Sequence, residues 1–227
     1  MQIVKFNRNE AQTIWKRRAN SGGEGMIAIV DYGMGNLRSV TNAFKKLDAD
    51  VVITREKETI GASSAIVLPG VGAFGRCIEN LKALELFDFI KELIAEGKLY
   101  LGICLGMQIL FEASEESPGL EGMGFIKGRV PRFTGNVKVP HMGWNSIEIV
   151  KEHPIFEGVE GGSHFYFVHS FYCQPDEEGV TATKTMYGGD FVSSVQKGNV
   201  FACQFHPEKS QRIGLRLLQN FIRLSKV

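Results

Sequence analysis

The sequence predicts an α/β protein with a mostly parallel central sheet flanked by helices and an antiparallel-rich second half. Three observations carry this. From Met26 onward, short continuous apolar runs alternate with segments whose apolar residues recur at helical spacing. Continuous apolar runs are the pattern of strands covered on both faces, and strands separated by helices lie parallel. From about Phe125 the helical texture gives way to short β-rich runs separated by Gly, Pro and Asn.

The elements follow in order. Met26–Val30 is a short apolar run and reads as the first strand. Leu37, Val40, Phe44 and Leu47 then recur at helical spacing, and Val51-Val52-Ile53 is the second strand. Ala65–Leu68 is the third. Between Cys77 and Glu96 the residues Leu81, Leu84, Phe87, Ile90 and Ile94 form one apolar stripe, which predicts a single long amphipathic helix. Leu99–Cys104 is the fourth strand, and Leu105–Phe111 begins a helix. The β-rich runs of the second half are Phe125–Val130, Ser146–Val150, His164–Val168, Val180–Thr185, Phe191–Gln196 and Val200–Phe205, and an amphipathic helix closes the chain across Ile213–Leu224.

Composition excludes several function classes. The 227 residues carry 26 basic and 25 acidic side chains, a formal net charge of +1, so no strong field invites nucleic acid or an anionic membrane. No apolar run approaches the roughly 20 residues that span a bilayer. The charge is uneven, however. Residues 1–25 hold Lys5, Arg8, Lys16, Arg17 and Arg18 against Glu10 and Glu24, and end in the linker-like Ser21-Gly22-Gly23-Glu24-Gly25. This segment lacks the apolar core of a signal peptide and reads as a leader appended to a domain over 26–227. Cys77, Cys104, Cys173 and Cys203 show no C-x-x-C pair, which fits a reducing cytoplasm.

One cysteine stands out by its surroundings. Gly102-Ile103-Cys104-Leu105-Gly106 places a thiol at a strand end before a helix, with glycine two residues away on each side. Nucleophile elbows have this pattern, because a strained turn tolerates no side chain at the flanking positions. A helix starting there would favour a thiolate. The bland reading is a buried cysteine between two glycines needed for packing. A nucleophilic thiol needs a base and the base an orienter. His206-Pro207-Glu208 offers both, with the two side chains on the same side of an extended segment. Gly70-Val71-Gly72-Ala73-Phe74-Gly75 matches the dinucleotide fingerprint, but the next strand ends in Cys104 rather than an acidic residue. Backbone N–H groups facing an oxyanion are the better use of that turn. His141, His164, His169, Cys173, Cys203 and His206 have no metal-ligand spacing.

Pro69-Gly70-Val71-Gly72, Gly102 through Gln108 and Phe205-His206-Pro207-Glu208 together resemble the class I (triad) glutamine amidotransferases, whose fold is flavodoxin-like. Three further segments, Asp31 through Val40, Pro140-His141-Met142-Gly143-Trp144-Asn145 and Tyr166 through Phe171, with Lys209-Ser210, resemble the glutaminase subunits of imidazole glycerol phosphate synthases of histidine biosynthesis. The resemblance implies that Cys104 attacks glutamine, that His206 is the base and Glu208 its orienter, and that Leu105, Val71 and Gly72 form the oxyanion hole. Gly72, Gln108, Glu116, Ser170 and Phe171 are implied in glutamine binding. It also implies no cofactor or metal, and a heterodimer with a cyclase subunit that receives ammonia, with His141, Trp144 and Lys209 at the interface. The alternatives are a glutaminase subunit of another synthase, a stand-alone PfpI-like cysteine hydrolase, and a non-catalytic binding module. The first lacks the segment around Trp144, the second commonly carries histidine where Leu105 stands, and the third requires a vestigial triad.

Overall fold

The computed structural model describes residues 25–226, so the expected leader lies, but for Gly25, outside the described residues. The first half runs β1 (Ile27–Val30), α1 (Leu37–Lys45), β2 (Val51–Thr54), α2 (Lys57–Ala62), β3 (Ala65–Gly70), α3 (Phe74–Ala83), α4 (Leu86–Ala95), β4 (Leu99–Cys104) and α5 (Leu105–Gln108). The second half contains β5 (Ala113–Ser114), β6 (Gly128–Val130), β7 (His141–Ser146), β8 (Glu148–Ile149), β9 (His164–His169), β10 (Gln174–Pro175), β11 (Thr181–Met186), β12 (Asp190–Lys197), β13 (Val200–Cys203) and α6 (Gln211–Leu224).

Eight strands form the central sheet in the order β2-β1-β3-β4-β13-β12-β11-β8. The first five are mutually parallel and the last three add antiparallel. Side chains of each strand divide between two cores, because successive residues point to opposite faces. Ala28, Val30, Ile66, Leu68 and Tyr100 pack with α3 and α4 on one face. Ile27, Ile29, Val67, Leu101 and Ile103 pack with Val40 and Phe44 of α1 and Leu217, Leu218 and Phe221 of α6 on the other. Beside the sheet lies a separate antiparallel ribbon of β7 and β9, in which His141 faces His169 and Trp144 faces Tyr166.

The fold class agrees with the sequence, and four elements differ in detail. The helix expected across Cys77–Glu96 is two helices, broken at Glu85, whose φ of +53° is left-handed. Both pieces bury the same stripe into one core, so the apolar periodicity runs through the break. The helix after Cys104 is a single α-helical turn ending at Gln108, and the strand expected over Phe125–Val130 begins only at Gly128. The run Ser146–Val150 keeps strand pairing to the main sheet only at Glu148 and Ile149. Four elements have no clear sequence signal, the two-residue strands β5 and β10 among them. α2 has six residues with only Ile60 buried, too few for a periodic pattern, and β7 carries histidine, glycine and asparagine where a strand usually carries β-branched residues.

The crossing of β3, β4 and α5 depends on missing side chains. A Cβ on Gly106 would lie 2.0 Å from the backbone oxygen of Leu68, and one on Gly102 would lie 2.3 Å from the oxygen of Gly106. Backbone atoms cannot swing aside, so the substitution Gly106→Ala should destabilise the chain by about 1–3 kcal/mol, the usual range for overpacking. Denaturant unfolding measures this, and a midpoint equal to that of the unmodified chain would contradict the packing described.

Candidate active site

The carboxyl ends of three neighbouring parallel strands meet at one edge of the sheet. Gly70 at the end of β3 is in register with Cys104 at the end of β4, and Cys203 at the end of β13 is in register with Ile103. In parallel α/β sheets, ligands bind in the crevice outside these ends. Cys104 sits there at φ +56° and ψ −106°, a conformation that a side chain adopts only at a cost of about 1–3 kcal/mol. The Gly102 and Gly106 contacts hold it in place, so those glycines are needed for packing and the turn at Cys104 is strained.

Three residues beyond β13, the chain turns to bring His206 and Glu208 to the same edge. His206 Nδ1–H donates to Glu208 Oε1 at 2.8 Å, and the two side chains are only 2% and 1% exposed. The segment is a 3₁₀ turn over Pro207–Lys209, not the extended chain expected. The pairing survives because the turn folds Glu208 back onto the ring. β9 anchors the turn: His206 N–H donates to the Tyr166 carbonyl at 2.9 Å, and Tyr166 N–H donates to Ser210 Oγ at 3.0 Å. Ser210 Oγ–H in turn donates to the His206 carbonyl at 2.6 Å. His206 Nε2 is buried and has no hydrogen-bond partner among the described residues. Burial pushes the His206 pKa down, but Cys104 and Glu208 together outweigh burial and raise it to about 9.

The Gly70–Gly72 turn leaves β3 directly beside the elbow. Gly72 has φ +107°, and a Cβ on Gly70 would lie 2.5 Å from Leu105 Cβ, so the turn passes close against the start of α5. Val71 and Leu105 therefore follow directly on the paired strand ends Gly70 and Cys104. Glu116 has a structural employment: its Oε2 accepts from Phe74 N–H at 2.7 Å and caps α3, while Ser117 Oγ accepts from Gly75 N–H at 3.0 Å. A carboxylate at a helix N-terminus is stabilising. The cap also fixes the end of the glycine turn.

Gln108 and Phe171 are brought together, with Gln108 Nε2 donating to the Phe171 carbonyl at 3.2 Å. Ser170 lies half-buried beside them, its carbonyl accepting from Phe133 N–H. Gln204 is a residue of this site that sequence reasoning passed over. It is fully buried, its Oε1 accepts from Gln108 Nε2 at 3.0 Å, and its Nε2 faces Cys104 Sγ at 3.5 Å. A glutamine two residues before the histidine was its one visible signal.

His141 is turned into the ribbon's packed face. It is buried and stacked on Tyr187 at 3.9 Å between ring centres, so its ring is not offered to a docking surface. Its Nδ1 lies 2.9 Å from His169 Nε2, and His169 Nδ1 lies 2.8 Å from the Phe171 carbonyl. A carbonyl only accepts, so His169 Nδ1 carries a proton and its Nε2 accepts from His141. Desolvation lowers both histidines, His141 to about 4 and His169 to about 3. The surface of the same ribbon exposes Met142 (62%) and Trp144 (47%). Trp144 packs edge-on against Tyr166, and Lys209 Nζ lies 5.8 Å from the centre of the Tyr166 ring. Among the described residues no three His, Cys, Asp or Glu side chains are grouped to hold a metal ion, and no helix is long and apolar enough to cross a membrane.

Residues 28–224 match the family model described as glutamine amidotransferase class-I. Among curated proteins, the imidazole glycerol phosphate synthase subunit HisH of Methanocaldococcus jannaschii is 51% identical over 199 residues, covering 88% of this chain and all of that protein. The HisH 1 subunit of Campylobacter jejuni strain RM1221 is 48% identical over 202 residues, with coverage of 88% and 100%. A crystal structure of a glutamine amidotransferase shares the fold at a TM-score of 0.70 and 24% identity, over 88% of this chain and 99% of that one.

The opposed histidine shifts predict distinct charges at neutral pH. At pH 7.5, His206 is an imidazolium while His141 and His169 are neutral, which long-range 15N–1H spectra of the rings can read; His206 titrating below pH 7 would contradict the geometry. The stability consequence also has two signs. His206, raised in the folded state, stabilises below pH 6.5, and that contribution is lost as pH rises through about 9. His141 and His169, lowered in the folded state, remove stability as pH falls from 6.5 toward 4, because only the unfolded chain takes up their protons.

Proposed function

The chain belongs to the class-I glutamine amidotransferase family, and from that premise we propose that it is the glutaminase subunit of an imidazole glycerol phosphate synthase in histidine biosynthesis. The observation that carries the catalytic part is the buried His206–Glu208 pair at 2.8 Å, set against a cysteine held at φ +56° on the same sheet edge. We assign the catalytic domain to residues 26–227 and leave residues 1–25 outside the chemistry, a division supported by the family match beginning at residue 28.

In the mechanism we infer, the Cys104 thiolate attacks the side-chain amide carbon of glutamine. The imidazolium of His206 holds the proton that the departing ammonia needs, and Glu208 keeps that charge in place and the ring oriented. Orienters of this kind act by fixing tautomer and stabilising the imidazolium. Water then hydrolyses the glutamyl thioester to glutamate. Leu105 and the Val71–Gly72 turn are assigned to the oxyanion, since their N–H groups begin the two chain segments beside Cys104. Gln108, Ser170 and Phe171 are assigned to the amino-acid end of glutamine, with Gly72 shared. Glu116 acts on the site through its cap on α3.

Ammonia released into water is protonated and loses its nucleophilicity, so a synthase gains by direct transfer. We propose a heterodimer in which a cyclase subunit receives the ammonia and docks on the face formed by exposed Met142 and Trp144 and half-buried Lys209. This is supported by the size of the exposed apolar side chains and by their continuity with Tyr166, which anchors the His206 turn. A cytoplasmic setting is supported by four cysteines that are all free and buried.

Ammonia release from glutamine, measured with and without the cyclase subunit, tests the assignment; release should rise with the partner and its nucleotide ligand. The variant Cys104→Ala should abolish release, and Glu208→Gln should lower kcat by about 10²–10⁴, the range of a lost acid–base contribution. Full activity in Cys104→Ala would sink the mechanism. Trp144→Ala should weaken association with the partner while leaving the melting temperature unchanged, and association at undiminished affinity would move the interface elsewhere.

A further inference from the structure

We propose that Gln204 is a positioning residue that presents an N–H donor to the Cys104 sulfur and so favours the thiolate; this rests on the glutaminase reading of the site. The inference follows from which atoms can donate. The Phe171 carbonyl can only accept, so the end of Gln108 that meets it at 3.2 Å must be the amide NH₂. The same NH₂ reaches Gln204 at 3.0 Å, so the Gln204 atom there must be its oxygen. The other end of the Gln204 amide is then an NH₂, and it faces Cys104 Sγ at 3.5 Å. A backbone carbonyl thus orients two buried side-chain amides in series, and the second of them points a donor at the sulfur.

The direction of that donor matters. A group that donates to sulfur stabilises the thiolate and leaves the thiol proton for His206 Nε2, whereas an amide oxygen in its place would compete for that proton and repel the charged form. Hydrogen bonds to ionised groups are roughly twice as strong as those between neutral groups. The arrangement also leaves the Gln108 oxygen as its remaining acceptor, so one chain of bonds orients both the nucleophile and a residue assigned to substrate. Gln204 is fully buried and its backbone N–H donates to the Ser193 carbonyl, so its position is set by the β12–β13 pairing rather than by solvent.

The test uses the full chain with Gln204→Met, which keeps the length of the side chain and removes both amide functions. At pH 7.5, the rate at which iodoacetamide alkylates Cys104, located by peptide mass, should fall about tenfold relative to the unmodified chain. Any fall beyond threefold in folded protein supports the donor role, and a smaller change overturns it. If Gln204→Met does not fold, Gln204→Asn serves, because the shorter amide cannot span both Gln108 and the sulfur, and the same limits apply. In the complex with the cyclase subunit, kcat should fall by a larger factor than KM rises; a variant whose defect lies wholly in KM would overturn the proposal. Alkylation needs neither glutamine nor partner, so it decides the role of Gln204 whichever way the ammonia assay reads.

Discussion

The structure depends on how closely two backbones approach each other at the end of β4. Gly106 packs against the Leu68 carbonyl and Gly102 against the Gly106 carbonyl, with no room for a Cβ at either place. That contact drives the chain through a left-handed residue at the strand end, and the residue there is Cys104. A relaxed turn would let the thiol lie along the strand. The strained turn instead commits it to the crevice, next to the Gly70–Gly72 turn of β3 on one side and the end of β13 on the other. Strain of this kind persists only where the surroundings over-determine it, and here the determinants are carbonyl oxygens rather than adjustable side chains.

The antiparallel second half completes the site that the parallel half begins. β13 adds to β4 as a fifth parallel strand, although it follows β12 in a tight antiparallel pair. This topology carries Gln204, His206 and Glu208 to the edge where Cys104 already stands. The β7–β9 ribbon then fixes the turn through Tyr166, which both accepts from His206 N–H and donates to Ser210 Oγ. Its outer face bears Trp144 against the same tyrosine. That surface therefore meets the histidine turn both through Tyr166 and through Lys209, the last residue of the turn itself.

Much of this was legible in the sequence, for identifiable reasons. Continuous apolar runs announce strands covered on both faces, and β1, β3 and β4 were readable because each is buried along nearly its whole length. The cysteine and the His-x-Glu triplet were readable because nucleophile chemistry needs those residue types. The break at Glu85 was hidden because periodicity records which residues are buried and is blind to the backbone between them. Gln204 was hidden for a related reason: a buried amide is indistinguishable in sequence from an exposed one, and its meaning lies in a partner 96 residues away. Alternation along β7 turns His141 inward while its neighbours Met142 and Trp144 are exposed, which the residue types alone do not reveal.

The histidines show why burial alone does not assign a role. His206 and His169 are both deeply buried, and desolvation is the largest single influence on each. Yet His206 is raised to about 9 and His169 lowered to about 3. The difference lies in what each ring nitrogen meets. His206 is paired with the Glu208 carboxylate and lies near Cys104, both of which favour its charged form, whereas His169 lies between a carbonyl and another imidazole, of which only the carbonyl favours charge. A cation at His206 is the form that can supply a proton to a leaving group. A neutral His169 is a directional spacer, whose single ring proton holds the Phe171 carbonyl on which Gln108 also converges. Within one ribbon and one turn, the same side chain thus holds a charge in one position and stays neutral in the other, and the choice is made by its neighbours.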